Sequence, residues 1–312
     1  MGIGDWLGFL AGRKASIERV ANVRGLLWLG LLFVGSAALA REYDAEFIPY
    51  NPVVLAVPLI ASTAAALLLF LPLWFAARRK GWPGTLGADA AARGRFWPTF
   101  GRFLGIFWLT APMAWLYGFP WERLLPELEA ASANLWTLAF VAIWRVGLMV
   151  RVAQVLFGFR FSQALVLVLF FADVAALAAV FFAPWPVMEM MGGVRSSVDD
   201  MLGVVRFFLG MAGVGGFLVL LLPFLRELLQ RTNQVVAPCV APAGIFDGQP
   251  GGPSTALWAL AVVALVAWAA LLPFTQPPLA EHGGKRVSFF AALPFHATGP
   301  AEVSRRAQFA PA

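Results

Sequence analysis

Of 312 residues, 60% are hydrophobic and only 13% are charged, and the formal net charge is +6. Soluble domains carry about 25% charged residues, so this chain has too little polar surface to cover a water-soluble globule. With mean hydropathy at +0.77 and the apolar residues gathered in bilayer-length blocks, the composition is that of a membrane protein.

Reading blocks of roughly 17 to 25 apolar residues as spans, the chain offers Gly25 to Ala40, Pro52 to Ala77, Phe103 to Trp121, Ala130 to Val150, Phe161 to Pro184, Phe207 to Leu225 and Thr255 to Phe274. The expected fold class is all-α, a polytopic bundle of seven transmembrane helices, or six if the first is cleaved. The first block follows a basic lead-in and ends in Ala38-Leu39-Ala40, which also suits a signal peptide. A lead of 24 residues is long for one, so an uncleaved span is favoured. Residues 1–24 read as an amphipathic interfacial helix, because Ile3, Trp6, Leu7 and Leu10 recur at helical spacing, with Ile17 and Val20 further along, beside Arg13 and Lys14. Residues 25–274 form the transmembrane domain. Residues 275–312 form a Pro-rich tail whose apolar stretch, Val287 to Phe295, is too short to span.

Orientation follows from Lys and Arg, which accumulate on the cytoplasmic side of short loops. The N-terminal segment, the second, fourth and sixth loops and Arg145 hold fifteen, whereas the opposite short loops hold four, Arg41, Arg123, Arg195 and Arg206. The N-terminus is therefore expected inside. Seven spans then place the tail outside, although its Lys285, Arg286, Arg305 and Arg306 run against the rule.

Several chemistries are excluded. One cysteine, Cys239, cannot make an intramolecular disulfide or a multi-cysteine metal or iron–sulfur site. His282 and His296 lie beyond the last block, so no span offers an imidazole to haem or copper. Lys14, Lys80 and Lys285 all lie outside the blocks, leaving a retinal Schiff base no attachment point. The basic residues flank spans without an aromatic recognition face, which argues against nucleic acid. No GxSxG, HExxH or Walker loop occurs, and no second intramembrane aspartate joins Asp173. No cofactor is expected, and an enzyme is the weakest class.

The strings LAREYD (Leu39 to Asp44), WLTAPMAWLY (Trp108 to Tyr117), ANLW (Ala133 to Trp136), WRVGLMVRV (Trp144 to Val152) and FFADVAAL (Phe170 to Leu177) resemble a family of bacterial multi-span membrane proteins of uncharacterised function. The likeness covers about Arg24 to Gly193. It implies a multi-pass protein of the bacterial cytoplasmic membrane and adds no mechanism.

Arg145 and Asp173 are the only charges inside the blocks. Twelve residues from Phe161, Asp173 lies about 18 Å into its span, where a carboxylate must be paired, protonated or hydrated. Ala172, Ala176 and Ala179 give its helix a small-residue face. Arg145, about 9 Å from the inner end of its block, is placed either to snorkel or to reach Asp173 across a short loop. A contact between them would serve as a structural clamp or as a transport relay.

Outside the membrane, Glu189, Asp199 and Asp200 form a candidate acidic cluster with Arg195 and Arg206. Adjacent aspartates resemble the magnesium-binding pair of membrane prenyl-transfer enzymes, but the second acidic motif is missing, so capping of the sixth helix is favoured. Glu42, Asp44 and Glu46 beside Tyr43 and Tyr50 suit a cation, a basic partner or a solvated loop. Ala212 and Gly216, beside Gly210, Gly213 and Gly215, mark a close helix contact, and Pro58, Pro72 and Pro112 mark kinks. These features point to a non-catalytic structural, assembly or accessory subunit of a larger inner-membrane complex. It would contact the lipid bilayer and protein partners through helix faces, the N-terminal helix or the tail. The alternative is a proton or small-solute transporter using Asp173 with Arg145, and a lipid-modifying enzyme using the acidic cluster is a third reading.

Overall fold

The structure is a computed structural model that describes residues 1–41, 56–79, 95–182, 197–230, 251–275, 279–282 and 285–287. Two short helices, α1 (Ile3–Leu10) and α2 (Lys14–Ala21), precede α3 (Leu26–Arg41) and α4 (Ala56–Arg79). The third apolar block is built from α5 (Phe96–Trp108), a 3-10 helix (Ala111–Gly118) and the one-turn α6 (Trp121–Leu124). Then come α7 (Glu127–Phe157), α8 (Phe161–Phe182), α9 (Ser197–Leu229) and α10 (Thr255–Thr275). In the tail, β1 (Leu279–His282) and β2 (Lys285–Val287) pair antiparallel, Leu279 opposite Val287. Among the described residues the fold is otherwise helical.

Four helices, α4, α7, α8 and α9, are long and apolar enough to cross a membrane, five if α2 and α3 count as one bent span. Helix α10 is a shorter apolar helix. The boundaries have local causes. Helix α7 begins with Glu127 and Glu129 in its first turn and stops at Gly158, whose φ of 69° is the left-handed cap that glycine supplies. Pro58 falls in the first turn of α4, where its missing N–H costs little, whereas Pro72 is interior.

The N-terminal segment differs from expectation. A corner at Ala11-Gly12-Arg13, with Gly12 at φ 70°, divides it into two helices. The buried side chains of α1 are Trp6 and Phe9, while Ile3 and Leu7 are exposed, so only part of the expected apolar stripe faces the bundle. Helix α2 meets α3 at 109°, the attitude of a surface-lying helix feeding a span, but it is packed: Ile17 and Val20 are fully buried.

The third block is the larger departure, because it is not one continuous helix. Pro112 has no N–H to give the carbonyl four residues back, and from Thr110 the ladder tightens: Thr110 N bonds Phe107 O at 3.2 Å and Met113 N bonds Thr110 O at 3.2 Å. The break packs deep in the bundle, with Leu109 and Thr110 fully buried.

Around it, α3 is the central helix, lined by α5, the 3-10 segment and α10. At Gly30 a Cβ would lie 2.8 Å from that of Trp108, and at Gly105 one would lie 3.1 Å from Leu26 Cγ, so both glycines set close helix approaches. On the other flank Phe70 of α4 lies 5.4 Å from the rings of both Phe96 and Phe103 and 6.2 Å from that of Phe157. Lipid tails are as apolar as leucine, so contacts in the spanning region gain from close packing rather than escape from water. Aromatic pairs add about 0.5–1.5 kcal/mol each in such geometries.

Candidate functional site

One backbone carbonyl freed at the break is satisfied by a side chain from a distant element. Met113 N turns to Thr110, so the Leu109 carbonyl is left to the indole of Trp6, whose Nε1 donates to it at 3.3 Å. Two more indoles donate to hydroxyls: Trp108 Nε1 to Ser62 Oγ at 3.1 Å, and Trp115 Nε1 to Ser36 Oγ at 3.0 Å. Ser36 Oγ in turn donates to Phe33 O at 2.8 Å. The Trp6 and Phe33 rings stack at 5.5 Å. Each tryptophan combines a large apolar body with one donor, so each bond is made without importing charge. Sequence reading missed this network; Pro112 inside an apolar block was its one visible signal.

The two intramembrane charges are adjacent in the chain topology but not in space. Arg145 of α7 lies over the Phe107 ring, 5.0 Å from guanidinium carbon to centroid, and its polar neighbour is Tyr117. Asp173 of α8 turns instead to α9: a Cβ on Gly216 would stand 2.8 Å from Asp173 Oδ1. Both residues are described, and no ion pair joins them. Of the two placements that the sequence left open for Arg145, the reach to Asp173 is not the one formed, although the short connection does make α7 and α8 neighbours. The physical reason is facing. Helix α7 also runs on to Phe157, so Arg145 sits deeper along its helix than the apolar block suggested.

The seam between α8 and α9 is an antiparallel zipper. Phe170 stacks on Phe224 at 4.0 Å and meets Phe217 at 5.5 Å. Above them Asp173 abuts Gly216, Leu177 abuts Gly213 at 2.7 Å from a built Cβ, and Val180 abuts Gly210 at 3.6 Å. Positions 170, 173, 177 and 180 follow the 3-4-3 spacing of a coiled-coil face. The contact thus uses Gly210, Gly213 and Gly216, while Ala212, expected beside Gly216, is exposed. Ala176 and Ala179 likewise face away, and Ala172 is half-buried. Within the seam Asp173 Oδ2 is buried without a hydrogen-bond partner.

Arg206 closes one end of the seam. Its Nε and Nη2 donate to Val180 O at 3.1 and 2.6 Å, placing a cation on a last-turn carbonyl of α8, where the helix dipole favours it. At the other end Arg79 Nη1 of α4 donates to Leu229 O, the last residue of α9, at 3.4 Å. Arg206 was read from sequence as a member of the outer acidic cluster, but its guanidinium is committed here. Of that cluster, Glu189 and Arg195 lie outside the described residues. Asp199 and Asp200 lie within the first turn of α9 rather than before it, and Asp200 is exposed. Among the described residues no three His, Cys, Asp or Glu side chains gather as metal ligands would. Glu42, Asp44, Glu46, Tyr43 and Tyr50 also lie outside the described residues.

These features are the make-up of a helical membrane protein. Comparison with protein families, curated proteins and solved structures gave no match to this chain.

Proposed function

We propose that the chain is a non-catalytic structural, assembly or accessory subunit of a larger complex in the bacterial cytoplasmic membrane, with seven spans and the N-terminus inside. The observation that carries this reading is α9. Its close contact runs along the α8 seam, while Phe207, Leu218, Val219 and Leu222 stand 64%, 64%, 72% and 74% exposed, offering apolar side chains to lipid or to partner helices. Arg145 supports it as well, because its guanidinium is spent on an aromatic face. That the ends which the charge count puts inside share one side is supported by contacts between them. Arg79 meets Leu229, and the Met1 amine donates to Gly252 O at 3.2 Å. The test is purification of the full chain from its membrane in mild detergent, with mass spectrometry of stoichiometric companions. A companion lost on substituting Leu218 and Leu222 by Trp, in a protein that still melts cooperatively, is the expected result. A solitary protein with or without the substitutions defeats the reading.

One observation favours the second reading, a proton or small-solute transporter: Asp173 Oδ2 has no partner deep in α8. A carboxyl so placed suits proton exchange. Asp173→Asn in proteoliposomes should then abolish a proton flux seen with the native chain. An unchanged flux, or none in either protein, removes this reading.

A further inference from the structure

A groove of about 440 Å³ opens between the α1–α2 corner and α7, lined by Leu10, Gly12, Trp144, Gly147, Leu148 and Arg151. Its walls are fixed by hydrogen bonds rather than by packing alone. Trp144 Nε1 donates to Leu10 O at 3.0 Å, and Arg151 Nε donates to Gly12 O at 3.2 Å. Arg151 Nη1 also donates to Gln154 Oε1 at 3.2 Å. A guanidinium has five N–H donors, so three of Arg151's remain unspent on a side chain already held in place. Among the described residues no carboxylate lines the groove: Asp5 is engaged by Arg19 at 2.5 Å, and Glu18 faces Lys14 at 3.9 Å. Arg13 and Lys14, at the same corner, are exposed.

The surroundings are apolar. Phe140 and Ile143 on α7 and Leu7 on α1 are 52%, 74% and 54% exposed, as acyl-facing residues of a membrane protein are. Arg151 stands six residues before the end of α7, about 9 Å along its axis, and Trp144 about 10 Å further toward the middle of the helix. Between them Gly147 leaves the floor open, since a Cβ there would meet nothing within 4 Å. The groove is thus cationic at the end nearer the helix terminus and apolar toward the bilayer centre.

We propose that this groove is a site for one anionic phospholipid, with the phosphodiester on Arg151 and the first methylenes of an acyl chain lying over Gly147 between Leu10 and Leu148. Cationic clefts between spans on the inner side suit anionic headgroups, and a planar fork already fixed by two bonds loses little freedom on meeting a phosphate. A lone anion would leave the apolar end of the groove unused, and a zwitterionic lipid would bring a second cation beside Arg13 and Lys14.

The experiment uses the full chain in dodecyl maltoside, offered phosphatidylglycerol and phosphatidylcholine at equal mole fraction and read by native mass spectrometry. One phosphatidylglycerol per chain should be retained in preference. Arg151→Gln should weaken retention about tenfold, the effect of losing a charge-assisted bond. Gly147→Leu should abolish it without lowering the melting temperature, because the added side chain enters open space and improves helix propensity. Equal retention of the two lipids, or unchanged retention in Gly147→Leu, overturns the proposal. So does thermal protection by inorganic phosphate that matches that of phosphatidylglycerol, which would assign the groove to a free anion.

Discussion

Arg145 and Asp173 each stand twelve residues from the turn that joins α7 to α8, and no ion pair joins them. Equal distance along two neighbouring helices is not enough for contact, because rotation about each axis decides what a side chain meets. Arg145 meets the face of Phe107 and Asp173 meets the glycines of α9. Breaking a buried ion pair strands one charge and costs about 3–5 kcal/mol, with strong coupling between the two substitutions. Here the free energies of Arg145→Gln and Asp173→Asn should add within about 0.5 kcal/mol. Reversible unfolding of the two single variants and the double variant in mixed micelles measures this. A coupling above about 1 kcal/mol would mean that the pair forms after all.

The bond from Trp6 to Leu109 predicts a different signature. Trp6→Phe keeps an aromatic ring against Phe33 but leaves the Leu109 carbonyl buried without its donor. The expected loss is about 1–3 kcal/mol, the cost of an unsatisfied buried acceptor. Leu7→Ala, one residue away on the exposed side of α1, should cost under about 0.5 kcal/mol. The same micelle unfolding assay separates them, and equal effects would show that α1 is held by its apolar content alone.

These two cases show what hydropathy conveys. A long apolar run records that a segment lies among apolar surroundings, so α4, α8 and α10 match their blocks within a few residues. It carries no phase, because a helix that is apolar all round does not say which side faces a neighbour. The facing of Arg145, the choice of Gly213 over Ala212 and the placement of Trp6 are all matters of phase. Length has the same weakness at helix ends. Helices α7 and α9 continue past their apolar blocks through charged residues such as Arg151 and Arg206, which an apolar count excludes. The break in the third block was half legible, since Pro112 marks it. What completes it, an indole from 103 residues earlier, is a tertiary event with no local sign. The acidic strings of the loops that the charge count places outside fall largely outside the described residues.

The glycine seam gives a positional prediction. A Cβ at Gly213 would come within 2.7 Å of Leu177 Cδ2 and 2.9 Å of its Cγ, whereas one at Gly215 would meet nothing within 4 Å. Gly213→Val should therefore force α8 and α9 apart and cost about 1–3 kcal/mol, as overpacking does. Gly215→Ala should be neutral or stabilise by up to about 1 kcal/mol through helix propensity. Amide exchange across residues 170–180 should rise in the first variant and not in the second. A reversed order would move the seam to the Ala212 side.

Orientation can be read from the natural sequence without engineering, because Cys239 is the only cysteine and lies in the sixth loop, which the charge count places inside. That loop ends at the N-terminus: Gly252 O accepts from the Met1 amine at 3.2 Å, and Ser254 N donates to Met1 O at 2.8 Å. Cys239 and the N-terminus should therefore share a side. A membrane-impermeant maleimide should leave Cys239 unlabelled in intact cells and label it after permeabilisation. A terminal amine reagent should show the same dependence at Met1. Labelling of Cys239 in intact cells with Met1 still protected would mean an odd number of crossings between them, against the six that the apolar blocks supply. Labelling of both in intact cells would invert the protein, leaving the Arg-rich loops outside and removing the inner-side setting on which the Arg151 lipid site depends.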